Sequence, residues 1–183
     1  MLKEIRFHGR GGQGVVTAAE LLAIAAFEDG KFSQAFPSFG SERMGSPVAS
    51  FARISDSPVA IKSQITNPDY VIVQDPTVIE VVDVFKGLKE GGLAIINVDK
   101  LPENIKVPKG VTVKTVDATN ISLEIIGRPI PNTVMLGAFA GATGVISLES
   151  VKKSIYEKFK GEIAEKNIKA LEKAYNQAKG VNV

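Results

Sequence analysis

Residues 5–27 read IRFHGRGGQGVVTAAELLAIAAF, and this stretch decides the fold. A short apolar segment, Ile5 to Phe7, precedes a glycine-rich turn, and residues 15–27 then form an apolar helical stretch. Gly9, Gly11 and Gly14 satisfy the pattern G-x-G-x-x-G. A strand, a glycine loop and a helix in this order bring backbone N–H groups and the positive end of the helix dipole onto one anion, usually a phosphate. The stretch therefore predicts an anion-binding turn.

The nicotinamide version of this turn needs an acidic residue about 20 residues further on, at the end of the second strand, to hold the ribose hydroxyls. The predicted second strand, residues 31–36, ends without one, because Glu28 and Asp29 come before it. A purely structural interpretation also stays open, in which the glycines only allow the helix to pack tightly on the strand. Arg10 favours the anion site, since a guanidinium beside helix amides strengthens it.

Composition indicates a single domain spanning residues 1–183, with 44% apolar residues to form a core. The net charge of +2 and the lack of a basic tract argue against nucleic-acid binding. Charged residues interrupt the N-terminus, and no apolar run is long enough for a bilayer. We therefore expect no signal peptide, no membrane contact and a cytoplasmic location.

The chain contains no cysteine and one histidine, His8. The absence of thiolates excludes disulfides, a thiol nucleophile and cysteine-ligated iron–sulfur clusters on this chain. A single histidine also excludes a multi-histidine metal site, so no metal ligand is predicted. His8 is expected to be a packed or hydrogen-bonded residue at the strand end rather than a general base, and no catalytic residue is assigned.

Strand-like and helix-like segments alternate along the chain, which predicts an α/β, Rossmann-like domain with a mostly parallel sheet and helices on both faces. Further strands are predicted in the ranges listed here: 48–54, a short piece at 59–61, 70–73, 93–97 and 111–116. Helices are predicted from Thr77, with Val78, Val81, Val82 and Phe85 on the buried side, and around 121–126. Asp75 is the expected cap of the helix from Thr77.

Residues 132–144 predict an almost uncharged helix of small residues, of the kind that is buried or lies against another subunit. Asn132 is its predicted N-cap and Gly144 its predicted end. A charged amphipathic helical tail follows Ser147, with a break permitted at Gly161.

A long loop, FPSFGSERMGSP from Phe36, separates the second and third predicted strands. Long loops in small domains tend to be functional, and this one leaves the same sheet edge as the glycine loop. Arg43 could therefore reach an anion held there, and Glu42 could pair with Arg43 or Arg10. An ion pair that only orders the loop or a subunit contact is an equal alternative.

Three motifs together carry a resemblance to a known family. They are GRGGQGVVTAAELLA from Gly9, PSFGSERMGSPV from Pro37 and RISD from Arg53. The combination resembles the gamma subunit of 2-oxoacid:ferredoxin oxidoreductases, the pyruvate/ketoisovalerate oxidoreductase gamma domain, and the likeness extends over nearly the whole chain. Met44 departs from the pattern, because many members carry a second arginine there.

The resemblance implies a subunit of a complex that oxidatively decarboxylates a 2-oxoacid to an acyl-coenzyme A and reduces ferredoxin. Its partners would be a thiamine-binding chain and a ferredoxin-like chain, which hold thiamine diphosphate, Mg²⁺ and the iron–sulfur clusters. Coenzyme A is the cofactor implied for this chain. The implied binding residues are Gly9, Arg10, Gly11, Gly12, Gln13 and Gly14, with Ser38, Ser41, Glu42 and Arg43 in the second loop.

Two other functions stay open: a free-standing NAD-type enzyme and a purely structural assembly scaffold. The resemblance implies that the isolated chain is inactive alone, and a homodimer of the isolated chain stays open. The 2-oxoacid itself, whether pyruvate, 2-oxoglutarate, a branched-chain or an aryl acid, would be selected by the thiamine pocket on another chain.

Overall fold

A computed structural model describes residues 1–38 and 43–179 of the chain. Its strands are β1 (Leu2–Arg10), β2 (Phe32–Pro37), β3 (Pro47–Ser55), β4 (Tyr70–Val73), β5 (Leu93–Asn97) and β6 (Thr112–Val116). Its α-helices are α1 (Val15–Glu28), α2 (Ala118–Ile125), α3 (Asn132–Thr143), α4 (Leu148–Lys158) and α5 (Gly161–Lys179). A 3-10 helix, Pro76–Glu80, follows β4.

The six strands form one sheet in the order β2-β3-β1-β4-β5-β6. Strands β1, β4, β5 and β6 are parallel, whereas β3 is antiparallel to both of its neighbours, β1 and β2. The orientation of β3 follows from its connection to β2. The chain turns back after β2, and neighbouring strands joined at the same end by a loop run in opposite directions. The predicted α/β domain with a mostly parallel sheet is confirmed.

All five α-helices contribute buried side chains to a single core on one face of the sheet, together with Ile5 and Phe7 of β1. The other face carries a smaller core of Val71, Val73, Ala94 and Ile96, which the 3-10 segment covers. The helical layer that was expected on this second face is thus reduced to one 3-10 helix and the turns after it.

The helix predicted from Thr77 therefore forms only over Pro76–Glu80, and the exposure of its expected buried side is mixed. Val78 and Phe85 are buried, but Val81 is 63% exposed. Most residues of 77–84 are β-branched, which disfavours a long helix because the side chains lose χ1 freedom against the preceding turn. The short strand predicted at 59–61 is also wrong, since those residues have no regular structure.

Helix α3 is buried within the chain itself, where it packs closely along α5. A methyl group added to Gly137 would lie 2.2 Å from the carbonyl oxygen of Leu171, and one added to Gly141 would lie 2.3 Å from that of Tyr175. The small residues of α3 thus allow two helix backbones to approach each other. The predicted end at Gly144 is confirmed, as that residue takes the left-handed conformation with φ of 63°. The predicted N-cap is wrong by one residue, because Pro131 is the N-cap and Asn132 is the first residue of the helix.

Candidate functional site

The glycine loop connects β1 to α1, and two of its glycines adopt left-handed backbone conformations. Gly12 has φ of 88° and Gly14 has φ of 70°. Gly14 is the N-cap of α1, and among the described side chains none forms a capping hydrogen bond to this helix. The N–H groups in the first turn of a helix have no partner within the helix, and the dipole makes that end positive. The start of α1 is therefore suited to an anion, as the sequence predicts.

The other glycines of the loop allow close approach of neighbouring groups. A methyl group on Gly9 would lie 2.6 Å from Cγ2 of Val15, and one on Gly11 would lie 2.2 Å from the carbonyl oxygen of Arg43. A methyl group on Gly14 would lie 2.6 Å from Nδ2 of Asn132. These contacts account for the glycines by packing alone, so the choice between a binding loop and a structural one depends on the polar groups around it.

Gln13 and Arg10 tie the loop to the end of β4. The Gln13 Oε1 atom accepts a hydrogen bond from the backbone N–H of Arg10 at 2.7 Å, and its Nε2 donates to Asp75 at 2.7 Å. The Arg10 Nε donates to the hydroxyl of Thr77 at 2.9 Å and lies 3.7 Å from Asp75. One Arg10 Nη donates to the carbonyl oxygen of Gly45 at 3.0 Å. Arg10 thus carries positive charge at the loop and also orders its surroundings.

Asp75 is ionised at this site although it is an acid beside an expected anion. Partial burial works to raise its pKa, but the hydrogen bonds from Thr77 and Gln13 and the charge of Arg10 outweigh burial and hold the pKa below its ordinary value. Asp75 also caps the 3-10 helix by accepting from the N–H of Thr77, which confirms its predicted capping role. Its negative charge is balanced within the network.

The second loop lies directly against the glycine loop. The N–H of Gly11 donates to the carbonyl oxygen of Ser46 at 2.9 Å, and the N–H of Gly45 donates back to that of Gly11 at 3.1 Å. Met44 forms an isolated bridge with Gly11, and its side chain lies over Gly12 while being 87% exposed. The predicted meeting of the two loops at one sheet edge is confirmed.

The predicted residues of the second loop differ in their position relative to the glycine loop. The backbone of Arg43 contacts Gly11, and the Arg43 side chain is exposed. Ser38 follows β2, which β3 separates from β1, so the structure does not bring Ser38 to the glycine loop. Ser41 and Glu42 lie outside the described residues, and so does the predicted pairing of Glu42 with an arginine.

The site lies where the strand order reverses. From β1 the chain proceeds through α1 to β2 on one side, whereas from β4 it proceeds to β5 on the other. Ligands of open α/β sheets bind at the carboxyl ends of the strands at such a point. Sequence reasoning missed the contact of Thr77 with Arg10, because the neighbouring position of β1 and β4 is not visible in the sequence.

His8 is buried at the end of β1 and accepts a hydrogen bond at Nε2 from the Nε of Arg6 at 3.0 Å. Burial, and then the charge of Arg6, lower the pKa of His8 to about 3, so the imidazole is neutral. The prediction of a packed, hydrogen-bonded histidine is confirmed. Because it is buried and neutral, His8 is not placed to transfer protons at the loop.

A cleft of about 830 Å³ adjoins the site on the second face of the sheet. Pro76 and Thr77 form its near end, and apolar side chains such as Ile79, Val82 and Ile105 line its length. Its volume lies within the range of small-molecule sites in proteins. Because Arg10 donates to Thr77, the cleft and the glycine loop are direct neighbours.

The fold and the loop define a class: a Rossmann-like domain with a glycine-rich turn at the reversal point of its sheet. Residues 4–177 match the model of the pyruvate ferredoxin/flavodoxin oxidoreductase family. The pyruvate synthase subunit PorC of Methanocaldococcus jannaschii is 57% identical over 174 residues, which cover 95% of this chain and 96% of that protein. The common gamma subunit of the pyruvate/ketoisovalerate oxidoreductases of Thermococcus kodakarensis is 55% identical, at 95% and 96% coverage.

Solved structures agree with these relatives. The crystal structure of pyruvate oxidoreductase subunit PORC from Thermotoga maritima superposes with a TM-score of 0.84 at 40% identity, covering 96% of each chain. The 2-oxoglutarate:ferredoxin oxidoreductase of Magnetococcus marinus shares the fold, with a TM-score of 0.83 at 22% identity; the match covers 99% of this chain and 32% of that one.

This chain belongs to the pyruvate ferredoxin/flavodoxin oxidoreductase family. The resemblance to the gamma subunits is confirmed, and so is the expectation of a subunit within an oxidoreductase complex. Over residues 1–38 and 43–179, helices that combine the length and the apolar character needed to cross a bilayer are absent.

Proposed function

We propose that the chain binds coenzyme A within a 2-oxoacid:ferredoxin oxidoreductase complex, with the phosphates of the coenzyme at the start of α1. The observation that carries this proposal is the uncapped N-terminus of α1 beside the Arg10 guanidinium, at the reversal point of the sheet. A helix N-terminus with an adjacent guanidinium suits phosphate groups. The Magnetococcus marinus structure was solved with 2-oxoglutarate, coenzyme A and succinyl-CoA bound, which supports the choice of ligand class.

The residues present fit this ligand by size as well as by charge. The glycine loop offers backbone N–H groups, Arg10 offers a positive charge that is about a quarter exposed, and the apolar cleft from Thr77 offers room for the uncharged part of the molecule. When bound, coenzyme A supplies the thiol that accepts the acyl group. The residues of this chain would bind and orient it, and this is a positional contribution to the reaction.

The redox and thiamine chemistry belongs to partner chains in this proposal. The chain has no cysteine with which to ligate an iron–sulfur cluster. Thiamine diphosphate, Mg²⁺ and the clusters are therefore assigned to the thiamine-binding and ferredoxin-like partners, which pass electrons to ferredoxin. Pyruvate is the first 2-oxoacid to test, because the named relatives are pyruvate synthase and pyruvate/ketoisovalerate oxidoreductase subunits.

The experiment is a calorimetric titration of the assembled complex with coenzyme A. Arg10→Ala is expected to raise the Kd about tenfold, the loss of roughly one charge-assisted contact. Lys169→Ala removes one exposed positive charge from α5 and is the matched control, with an unchanged Kd. An unchanged Kd in Arg10→Ala would instead favour the scaffold interpretation, to which the close packing of Gly9, Gly11 and Gly14 is equally suited.

A further inference from the structure

Gln74 is the residue at this site whose side-chain amide has no hydrogen-bond partner among the described residues. Its side chain is 1% exposed, and across residues 1–38 and 43–179 its Nε2 and Oε1 are the buried side-chain nitrogen and oxygen atoms without a hydrogen-bond partner. Buried polar groups in native proteins are nearly always paired, because an unpaired one has lost its water without replacement. An unpaired buried amide is therefore expected to have a partner outside the described residues.

The backbone of Gln74 fixes where its side chain begins. Its N–H donates to the carbonyl oxygen of His8 at 2.8 Å, and its carbonyl oxygen accepts from Nδ2 of Asn97 at 2.7 Å. The residue thus extends β4 between β1 and β5. Because side chains alternate along a strand, Gln74 lies on the same face as Ile72, which is the face that carries the α-helices.

On that face Gln74 lies beneath the glycine loop. Its Cβ is 3.5 Å from the position that a Cβ would take on Gly9. The same position is 2.6 Å from Cγ2 of Val15 and 3.2 Å from Oε1 of Gln13. The Gln74 side chain therefore starts next to the turn between β1 and α1, at the point where the first helical residue contacts the strand.

Two helices begin over this edge of the sheet. Asn132, the first residue of α3, has its Nδ2 3.5 Å from the carbonyl oxygen of Gly14, which places the start of α3 beside the start of α1. The first turns of both helices and the Cβ of Gln74 thus lie on one side of the loop. An amide can donate a hydrogen bond to a phosphate oxygen, as the helix N–H groups do. Because the amide is neutral, it does not repel the carboxylate of Asp75.

We propose that Gln74 is a ligand-binding residue of the glycine-loop site, whose amide hydrogen-bonds a phosphate oxygen of the bound coenzyme from beneath the loop, directly or through one bridging water. The proposal rests on the proposed function, because it assumes a phosphate at the start of α1. It adds a second contact to that of Arg10, from the interior of the domain.

The test is calorimetric titration of the assembled complex with coenzyme A, in the absence of a 2-oxoacid, together with thermal unfolding. Gln74→Met keeps the length of the side chain and removes its amide, and Gln74→Leu is a second apolar variant. Both are expected to raise the Kd about 3- to 10-fold, the effect of one hydrogen bond, and to leave the Tm unchanged or higher, because an unpaired buried amide is removed.

Gln34→Leu is the matched control, since Gln34 lies in β2 and its amide already donates to the carbonyl oxygen of Val59. It should not change the Kd. An unchanged Kd in both Gln74 variants, with a raised Kd in Arg10→Ala, would overturn this inference and leave the proposed function standing. An unchanged Kd in all three would overturn both. Failure of both Gln74 variants to assemble, or a fall in their Tm without a change in Kd, would show a purely structural role.

Discussion

Replacing Gly11 by alanine should separate the two loops of the site. Gly11 does not have a left-handed backbone, so alanine meets no dihedral penalty there. The new methyl group would instead lie 2.2 Å from the carbonyl oxygen of Arg43, far inside van der Waals contact, and the obstacle is backbone that no rotamer change can remove. The turn at 43–46 must move away.

That movement stretches the two backbone hydrogen bonds between Gly11 and residues 45 and 46. At about 0.5–1.5 kcal/mol net for each bond, the expected loss of unfolding free energy is about 1–3 kcal/mol. For a domain of this size, that corresponds to a fall in Tm of about 3–10 °C. Because the turn also carries the Gly45 carbonyl that accepts from Arg10, the Kd for coenzyme A should rise as well.

The assays are thermal unfolding of the purified chain and coenzyme titration of the complex. Gly45→Asn is the control in the same turn: Gly45 has φ of 77° with open space around it, and asparagine tolerates that conformation. Its fall in Tm should be smaller than that of Gly11→Ala, because no backbone atom has to move, and its Kd should be that of the wild type. A Gly11→Ala protein with the Tm and Kd of the wild type would refute the idea that close loop contact builds the site.

Three further predictions concern stability. Gly137→Ala should destabilise the chain by about 1–3 kcal/mol in urea unfolding, although alanine is the better helix former, because its methyl group collides with the carbonyl oxygen of Leu171. Acidification from pH 6.5 to 4 should cost up to about 3 kcal/mol through His8: its pKa in the folded chain is about 3, so only the unfolded chain takes up the proton in this window, and His8→Gln should flatten the dependence. Arg53→Met should cost about 3–5 kcal/mol in urea unfolding, because the buried guanidinium, which is 1% exposed, binds one carboxylate and two backbone carbonyl oxygens that would be left unpaired.

Each of the three has a clear contrary result. A more stable Gly137→Ala protein would mean that α3 and α5 do not approach as described. The same acid dependence in His8→Gln and wild type would place the titrating group elsewhere. An Arg53→Met protein as stable as wild type would show that its partners find other hydrogen bonds.

The sequence predicted the parts of the fold that depend on local pattern. The run Tyr70–Val73 is continuously apolar because β4 is buried on both faces, and its bounds were predicted without error. The segment after it was harder, since Val78 and Phe85 have helical spacing and are buried as expected, yet β-branched neighbours restrict the helix to one 3-10 turn. In this segment the spacing of the apolar residues indicates which of them are buried, whereas helix propensity determines whether they form a helix.

The site divides in the same way. The glycine loop is contiguous in the sequence, so its turn could be predicted from residues 9–14 alone. The contacts of Arg10 with Thr77 and of Gln13 with Asp75 span more than 60 residues and depend on β4 lying beside β1. Strand order is a property of the whole sheet, and for this reason the sequence alone does not indicate that Gln74 lies beside the glycine loop.

The most direct measurement is a structure of the assembled complex with coenzyme A bound. The account predicts phosphate oxygens within about 3 Å of the backbone N–H groups at the start of α1, with the Arg10 guanidinium beside them. A coenzyme whose phosphates lie on a partner chain, with the turn from Gly11 to Gly14 covered by protein side chains, would contradict it.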